Sequence, residues 1–594
     1  MLYFFLVWVI LIVATSIIGT ALLNLWNITS FQYTKDRIIV AVWLGIVVIS
    51  IALLTVSLVF PLSPLTGVVL ILGFVALSIS SATTRTEVNR LRLQLSLKTI
   101  IKISALALII ARTTARPITW LDTGLYHAGA IRWMAEYAAV PGVGLIHDRF
   151  GWTTSWFAFN APLNLRTFDY RTIAISNGFC LFGATLHFFW SLNQVFKKRG
   201  RLSDWFVIVF NCFVLPLLFL RDFPVVGGQS VMAEILISPS PDISVLLLTG
   251  VIAWAILVVS EQASWPGGKA SSDSDDARII PLVLSAGVVT MKLTAIPVLL
   301  GAALFYGFGN YLRFKRLLQS GAIVVALLAP MFIYGIVTSG CPLSPSEFMC
   351  LNLPWTAVEL ETGTPTAQLV VNWEVLGEPP TGVNYWPWIL LQWIREERIN
   401  LALAGLNGAA ILAGLYLLYL SYKNKQARKK FAGVVWLLVI SLVGIVFIFK
   451  QAPITRYGLA YFLLIPAIVF AIYGAWLWER MQPELGVWVS HLVVVRWWRQ
   501  KPWVTPCLLS GLAVVICWQG LAQSRFLLPP ELLEVPLIKA QVNDVEYVYP
   551  ADGSVPLSLC WASPLPCALG PIEKDIRLRN PARGIGAGFM QVTD

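Results

Sequence analysis

The stretch LYFFLVWVILIVATSIIGTALLNLW, residues 2–26, contains no Asp, Glu, Lys or Arg. A helix needs about 20 apolar residues to cross a hydrocarbon core roughly 30 Å thick, so this stretch reads as a membrane span. It has no basic n-region and no small-residue cleavage pattern, so it is expected to be a retained span and not a removable leader.

Working outward, the whole chain has the same character. Of 594 residues, 57% are hydrophobic and 12% charged, and the mean hydropathy is +0.74. A soluble domain carries about 25% charge. The 25 Trp suit membrane–water interfaces. The expected fold class is an all-α polytopic membrane protein with about fourteen transmembrane helices. Beyond the first, the candidate spans are 38–59, 65–81, one ending at 103–111, 171–194, 205–220, 243–260, 320–337, 400–419, 433–449, 459–478 and 504–521. Residues 279–311 have basic flanks on what looks like one side, and a single crossing would break the alternation. Two short helices meeting near Lys292 and Pro297 restore it. A lysine left in lipid costs about 3 kcal/mol, so Lys292 should face a polar cavity.

The net charge of +12 would suggest nucleic acid in a soluble protein. Here no basic stretch is interleaved with aromatics on a soluble domain, so nucleic acid is not expected as a partner. The basic residues fall in short loops instead: Arg85 to Lys102, Lys197 to Arg201, Arg313 to Arg316, Lys423 to Lys430, and Arg480 to Lys501. Such loops stay in the cytoplasm. Segments 113–170, 221–241 and 338–398 then face outward, as does a Pro-rich tail, 523–594, set apart from the multi-span domain 1–522. Residues 261–278 read as a hydrophilic linker. Residues 386–398 read as an interfacial helix.

Cysteine spacing tests this topology. Cys341 and Cys350 share one outer loop, and Cys560 and Cys567 share the tail. Two local pairs on an oxidising side suggest two disulfides, with four free thiols as the alternative. No His lies near either pair, which disfavours zinc.

Polar chemistry concentrates in LDTGLYHAGAIRWMAEYAAVPGVGLIHDRFGWTTSWFAFN, residues 121–160. Asp122 opens a helical pattern. It either caps that helix or serves as a base toward an acceptor hydroxyl, and a cap would also hold the carboxylate rigid. Tyr126 shares its face by i, i+4 spacing. His127 is either a core histidine or a site group. Arg132 and Glu136 are either a surface pair or part of the site. His147, Asp148 and Arg149 follow a Pro-Gly break and could grip a phosphate or form a plain turn. Further candidates on the same outer side are Arg221 and Asp222, Asp242 in SPSPD, Lys292 and Arg456. For the last two, snorkelling to headgroups is the competing reading.

These residues carry a resemblance. DTGLYHAGAIRWMAEYAAVPGVGLIHDRFGWTTSWF at 122–157, SPSPD at 238–242, MKLTAIP at 291–297, SGCPLSPS at 339–346, APITRYG at 452–458 and CWASPLPC at 560–567 resemble a bacterial family of uncharacterised multi-span membrane proteins. More broadly, the chain resembles the GT-C class of membrane glycosyltransferases, which take sugars from polyprenyl-phosphate carriers. That class places a catalytic acid in an early external loop. The resemblance implies Asp122 as general base, with Arg132, His147, Arg149, Lys292 and Arg456 toward the leaving phosphate. It implies a glycan or lipid acceptor, the bilayer as partner, and a bacterial inner membrane with the site facing the periplasm. The class motif often has a second acid. Here Thr123 follows Asp122, which leaves a divalent metal open and no cofactor certain. About three spans precede the loop where the class usually has one. The alternatives are a transporter or flippase for a glycan or lipid, and a non-catalytic scaffold of an envelope-polysaccharide complex.

Overall fold

The computed structural model describes residues 1–592 except 32, 95, 220–221, 224–227, 230, 264–276, 310–313, 357–379, 424–431 and 492–525. The protein is mostly helical. The first helices are α1 (Leu2–Leu25), α2 (Thr34–Ser57), α3 (Pro64–Ser80), α4 (Ala82–Gln94) and α5 (Leu97–Thr114). A polar segment with short helices α6 (Ala128–Glu136) and α7 (Ser155–Asn160) follows. Then come α8 (Ile175–Phe196), α9 (Leu202–Phe219), α10 (Val231–Leu236) and α11 (Pro241–Ala263). The second half holds α12 (Ile279–Met291), α13 (Ile296–Gly309), α14 (Phe314–Ser339), α15 (Tyr385–Glu396), α16 (Arg398–Lys423), α17 (Ala432–Gln451) and α18 (Thr455–His491).

Among the described residues, eight helices are long and apolar enough to cross a membrane, or nine if the bent α3–α4 pair is one span. The expected count of fourteen is not confirmed, for identifiable reasons. Helix α5 carries Lys98, Lys102 and Arg112, and α8 carries Asn177, His187, Asn193 and Gln194. Helices α12 and α13 are short, and residues 504–521 lie outside the described residues. The basic segment after α3 is also not a loop. Ser81 adopts an extended conformation, the axis bends by 100°, and the chain continues as the polar helix α4. As expected, residues 279–309 form two short helices, which meet at Lys292. The stretch expected at the interface is helical through Glu396, in α15.

Helices α1 and α2 cross closely because glycine lets them. A Cβ on Gly19 would lie 1.9 Å from the Ala41 carbonyl oxygen, and one on Gly45 would lie 2.2 Å from that of Thr15. Small residues at such crossings let backbones approach in apolar surroundings. At the end of the bundle where α1 finishes, Arg37 pairs with Glu87, and Arg201 bonds Asp36 at 2.7 Å and Asp204 at 3.1 Å. The basic segments around 85–92 and 197–201 thus share one end.

The other end carries the 121–160 segment and residues 526–592. This C-terminal portion holds two antiparallel ladders, β3–β4 (Leu537–Val542, Val545–Pro550) and β5–β6 (Ile576–Leu578, Phe589–Gln591). Another ladder, β1–β2, is formed by Asp222–Phe223 and Gly228–Gln229. The C-terminal portion packs on the polar segment. The Trp561 amide donates to Gly124 O (2.9 Å), the Phe589 amide to Pro141 O (2.8 Å) and the Leu2 amide to Phe526 O (2.8 Å). Gly124 is required here, since a Cβ would lie 2.5 Å from the Trp561 ring. Both anticipated disulfides form, Cys341–Cys350 and Cys560–Cys567.

Candidate functional site

After α5 the chain runs in extended form to Trp120 and enters a π-helix at Thr123–His127. Such one-turn π segments recur at functional sites. Asp122 stands at its N-terminus, and its side chain makes no capping hydrogen bond there. The capping alternative therefore does not hold. Instead Arg456 Nη1 donates to Asp122 Oδ2 at 2.8 Å, and Arg149 Nη1 lies 3.9 Å from Oδ1. Arg456 comes from the first turn of α18, and Arg149 from a 3₁₀ turn, Asp148–Gly151. Burial alone would raise the Asp122 carboxyl, but its neighbours, Arg456 foremost, outweigh burial and hold it below the usual carboxylate range.

Aromatic faces fix the two guanidinium groups. Arg456 lies 4.8 Å from the ring centroids of both Trp120 and Tyr457, and it donates to the Tyr457 hydroxyl at 3.1 Å. Arg149 sits over Tyr126 at 5.6 Å and Trp152 at 5.2 Å. Such stacking restrains a cation without neutralising it.

A second ion pair adjoins the first. Lys292, at the α12–α13 break, pairs with Asp242, which is buried at the start of α11. The Ser240 hydroxyl donates to Asp242 Oδ2 at 3.1 Å. Asn177 of α8 anchors this turn by donating to the carbonyls of Ser238 (2.6 Å) and Ser240 (3.0 Å). Lys292 Nζ lies 3.7 Å from the Tyr457 ring centroid, so Tyr457 joins the two pairs. The cluster sets three cations, Arg149, Lys292 and Arg456, against two carboxylates, Asp122 and Asp242.

His127 is fully buried against Tyr126 (4.4 Å) and Phe157 (5.2 Å). Burial pushes its imidazole down to about 3, so it is neutral. Its Nδ1 has no hydrogen-bond partner among the described residues.

The structure thus brings together Asp122, Tyr126, His127, Arg149, Asp242, Lys292 and Arg456. It does not bring Arg132 there. Arg132 bonds Glu136 at 2.7 Å and the carbonyls of Ala562 and Ser563 at 3.0 and 2.8 Å, so it anchors the C-terminal portion. His147 and Asp148 do not join Arg149 in an anion grip. They pair with each other at 2.7 Å and line a separate cleft against residues 568–573. Arg221 lies outside the described residues. Asp222 pairs through its backbone with Gln229. Sequence reasoning missed Trp120 and Tyr457. Their signal was adjacency to charged site residues in an apolar context.

A divalent ion does not fit this donor set. Asp122 already faces two arginines, Asp242 faces a lysine, and the described residues hold no group of three or more His, Cys, Asp or Glu arranged for a metal. No step is therefore routed through a metal.

No curated protein and no solved structure matches the chain. One family matches, over residues 1–463, and is described as a domain of unknown function, DUF8201.

Proposed function

The chain belongs to the DUF8201 family, and we propose that it is a membrane glycosyltransferase. It moves a sugar from a polyprenyl-phosphate donor to a glycan or lipid acceptor, in envelope or exopolysaccharide synthesis. The site faces the periplasm of a bacterial inner membrane. The observation that carries the reading is the Asp122 carboxylate between Arg456 and Arg149, with Lys292 beside them. In the reaction, Asp122 accepts the proton of the acceptor hydroxyl as its oxygen bonds to the anomeric carbon. The bond from that carbon to the phosphate oxygen breaks, and the phosphate leaves with the electron pair. Arg149, Arg456 and Lys292 oppose the charge that grows on it. Two features support an outer site. Both disulfides lie at the Asp122 end, and the basic segments around 85–92 and 197–201 lie at the opposite end.

The test is sugar transfer from labelled polyprenyl-phosphate donor by the purified, reconstituted protein. Asp122→Asn is expected to slow transfer by about 10²–10⁴-fold, the usual contribution of a general base. Undiminished transfer removes Asp122 from that role.

A second reading, a transporter or flippase, rests on the Lys292–Asp242 pair at the meeting of two short apolar helices. Discontinuous helices often line transport sites. Movement of labelled lipid-linked sugar across vesicles, lost in Lys292→Met without any transfer activity in the parent protein, would favour it.

A further inference from the structure

A cleft of about 440 Å³ lies between residues 144–148 and residues 568–573, and Thr356 and Gln591 complete its lining. That volume falls in the range of small-molecule sites and holds roughly two sugar rings. Its charge is opposite to that of the Asp122 cluster. Asp148 and Glu573 line it, and no Lys or Arg does among the described residues. Leu569 and Ile572 add apolar surface. His147 contributes a buried imidazole whose Nδ1 is already engaged, 2.7 Å from Asp148 Oδ1 and 3.1 Å from the Arg149 amide nitrogen. Its Nε2 is buried and has no protein partner among the described residues.

We propose that this cleft holds the acceptor of the transfer reaction, and that the acceptor is an uncharged, hydroxyl-rich glycan. The proposal rests on the glycosyl-transfer reading above. Carboxylates and the Gln591 amide accept hydrogen bonds from sugar hydroxyls, and Leu569 and Ile572 pack against the C–H face of a ring. Two carboxylates without a facing cation repel a phosphate or a uronic acid. Position supports the assignment: Asp148 lines the cleft, while the next residue, Arg149, reaches Asp122. The cleft is thus one residue along the chain from a member of the Asp122 cluster. Donor and acceptor are thus sorted by charge, with the anion drawn to the arginine cluster and the neutral glycan to the acidic cleft.

Calorimetric titration of the full-length protein in detergent tests this. The probes are neutral trisaccharides of glucose, mannose and N-acetylglucosamine, and a trisaccharide of galacturonic acid. At least one neutral trisaccharide should bind, and the galacturonate should bind about tenfold more weakly or worse. The double variant Asp148→Asn, Glu573→Gln should close that gap. Both side chains are exposed, and an unchanged melting temperature verifies the fold. His147→Ala should weaken neutral binding. Equal or tighter galacturonate binding overturns the proposal, as does absence of neutral binding by protein that melts normally. Asp122→Asn separates the two readings. Neutral binding retained with transfer undiminished sinks the base assignment alone. Transfer lost in Asp122→Asn with no neutral binding by the parent protein sinks the cleft alone.

Discussion

A carboxylate held between two guanidinium groups is ionised but weakly basic. Asp122 becomes a better base when something else engages Arg456 and Arg149, and a phosphate is suited to that exchange. Under the proposed function, the donor phosphate would thus free the base that acts on its sugar. Neighbouring His127 makes a separate prediction. Its folded imidazole is depressed to about 3 by burial, whereas an unfolded histidine titrates near 6.5. The unfolded state therefore binds the extra proton first, and stability falls as pH drops from about 6.5 toward 3, by up to about 1.4 kcal/mol per pH unit for this one group. Melting curves from pH 7 to pH 4.5 should show a smaller decline for His127→Phe than for the parent. Equal declines would show that His127 does not drive the loss. At this scale the sequence was informative where charge interrupted apolar runs, as at Asp122, Lys292 and Arg456. It was misleading at Arg132, whose partners Ala562 and Ser563 are distant in sequence, and at His147 and Asp148, which pair with each other.

Among the elements, the break between α12 and α13 bears most on the site. Alternation of basic flanks anticipated it, because a single crossing would have put like loops on opposite sides. The break presents Lys292 to Asp242, whose side chain is only 3% exposed. Removing one partner leaves a buried charge unpaired, at a cost of about 3–5 kcal/mol, whereas replacing both is far milder. Lys292→Met should therefore lower the melting temperature in detergent, and adding Asp242→Asn should recover much of the loss. A double variant as unstable as the single one would show that the pair is not the source. The helix α4 was not legible, since basic composition describes a polar helix lying at the interface as well as it describes a loop. Only the extended backbone at Ser81 and the 100° bend distinguish them.

At the scale of the molecule, composition was enough to give an all-α membrane protein, but hydropathy named more crossings than the described helices bear out. Short or charge-bearing helices read as spans when only apolar content is weighed. The reading of residues 523–594 as a tail also missed their role, because nothing local marks a surface that binds a loop far upstream. Trp561, 2% exposed, packs on Gly124, and Phe589 is fully buried. Gly124→Val places a methyl-bearing carbon where that indole sits. Limited proteolysis within 526–592 should then run about tenfold faster, matching a docking loss of about 1.4 kcal/mol. Unchanged cleavage would mean that the indole contact does not hold the portion in place.

Arg132 and the Ala562 carbonyl it binds are 430 positions apart, and the cleft between residues 144–148 and 568–573 likewise draws its walls from remote parts of the chain. A ribosome-bound intermediate that has emitted only the helical bundle would own the arginine cluster without the opposing wall. The cleft is therefore completed late in biogenesis, once residues 568–573 and Gln591 are in place. Under the proposed function, a half-made copy would carry the arginine cluster but no seat for an acceptor.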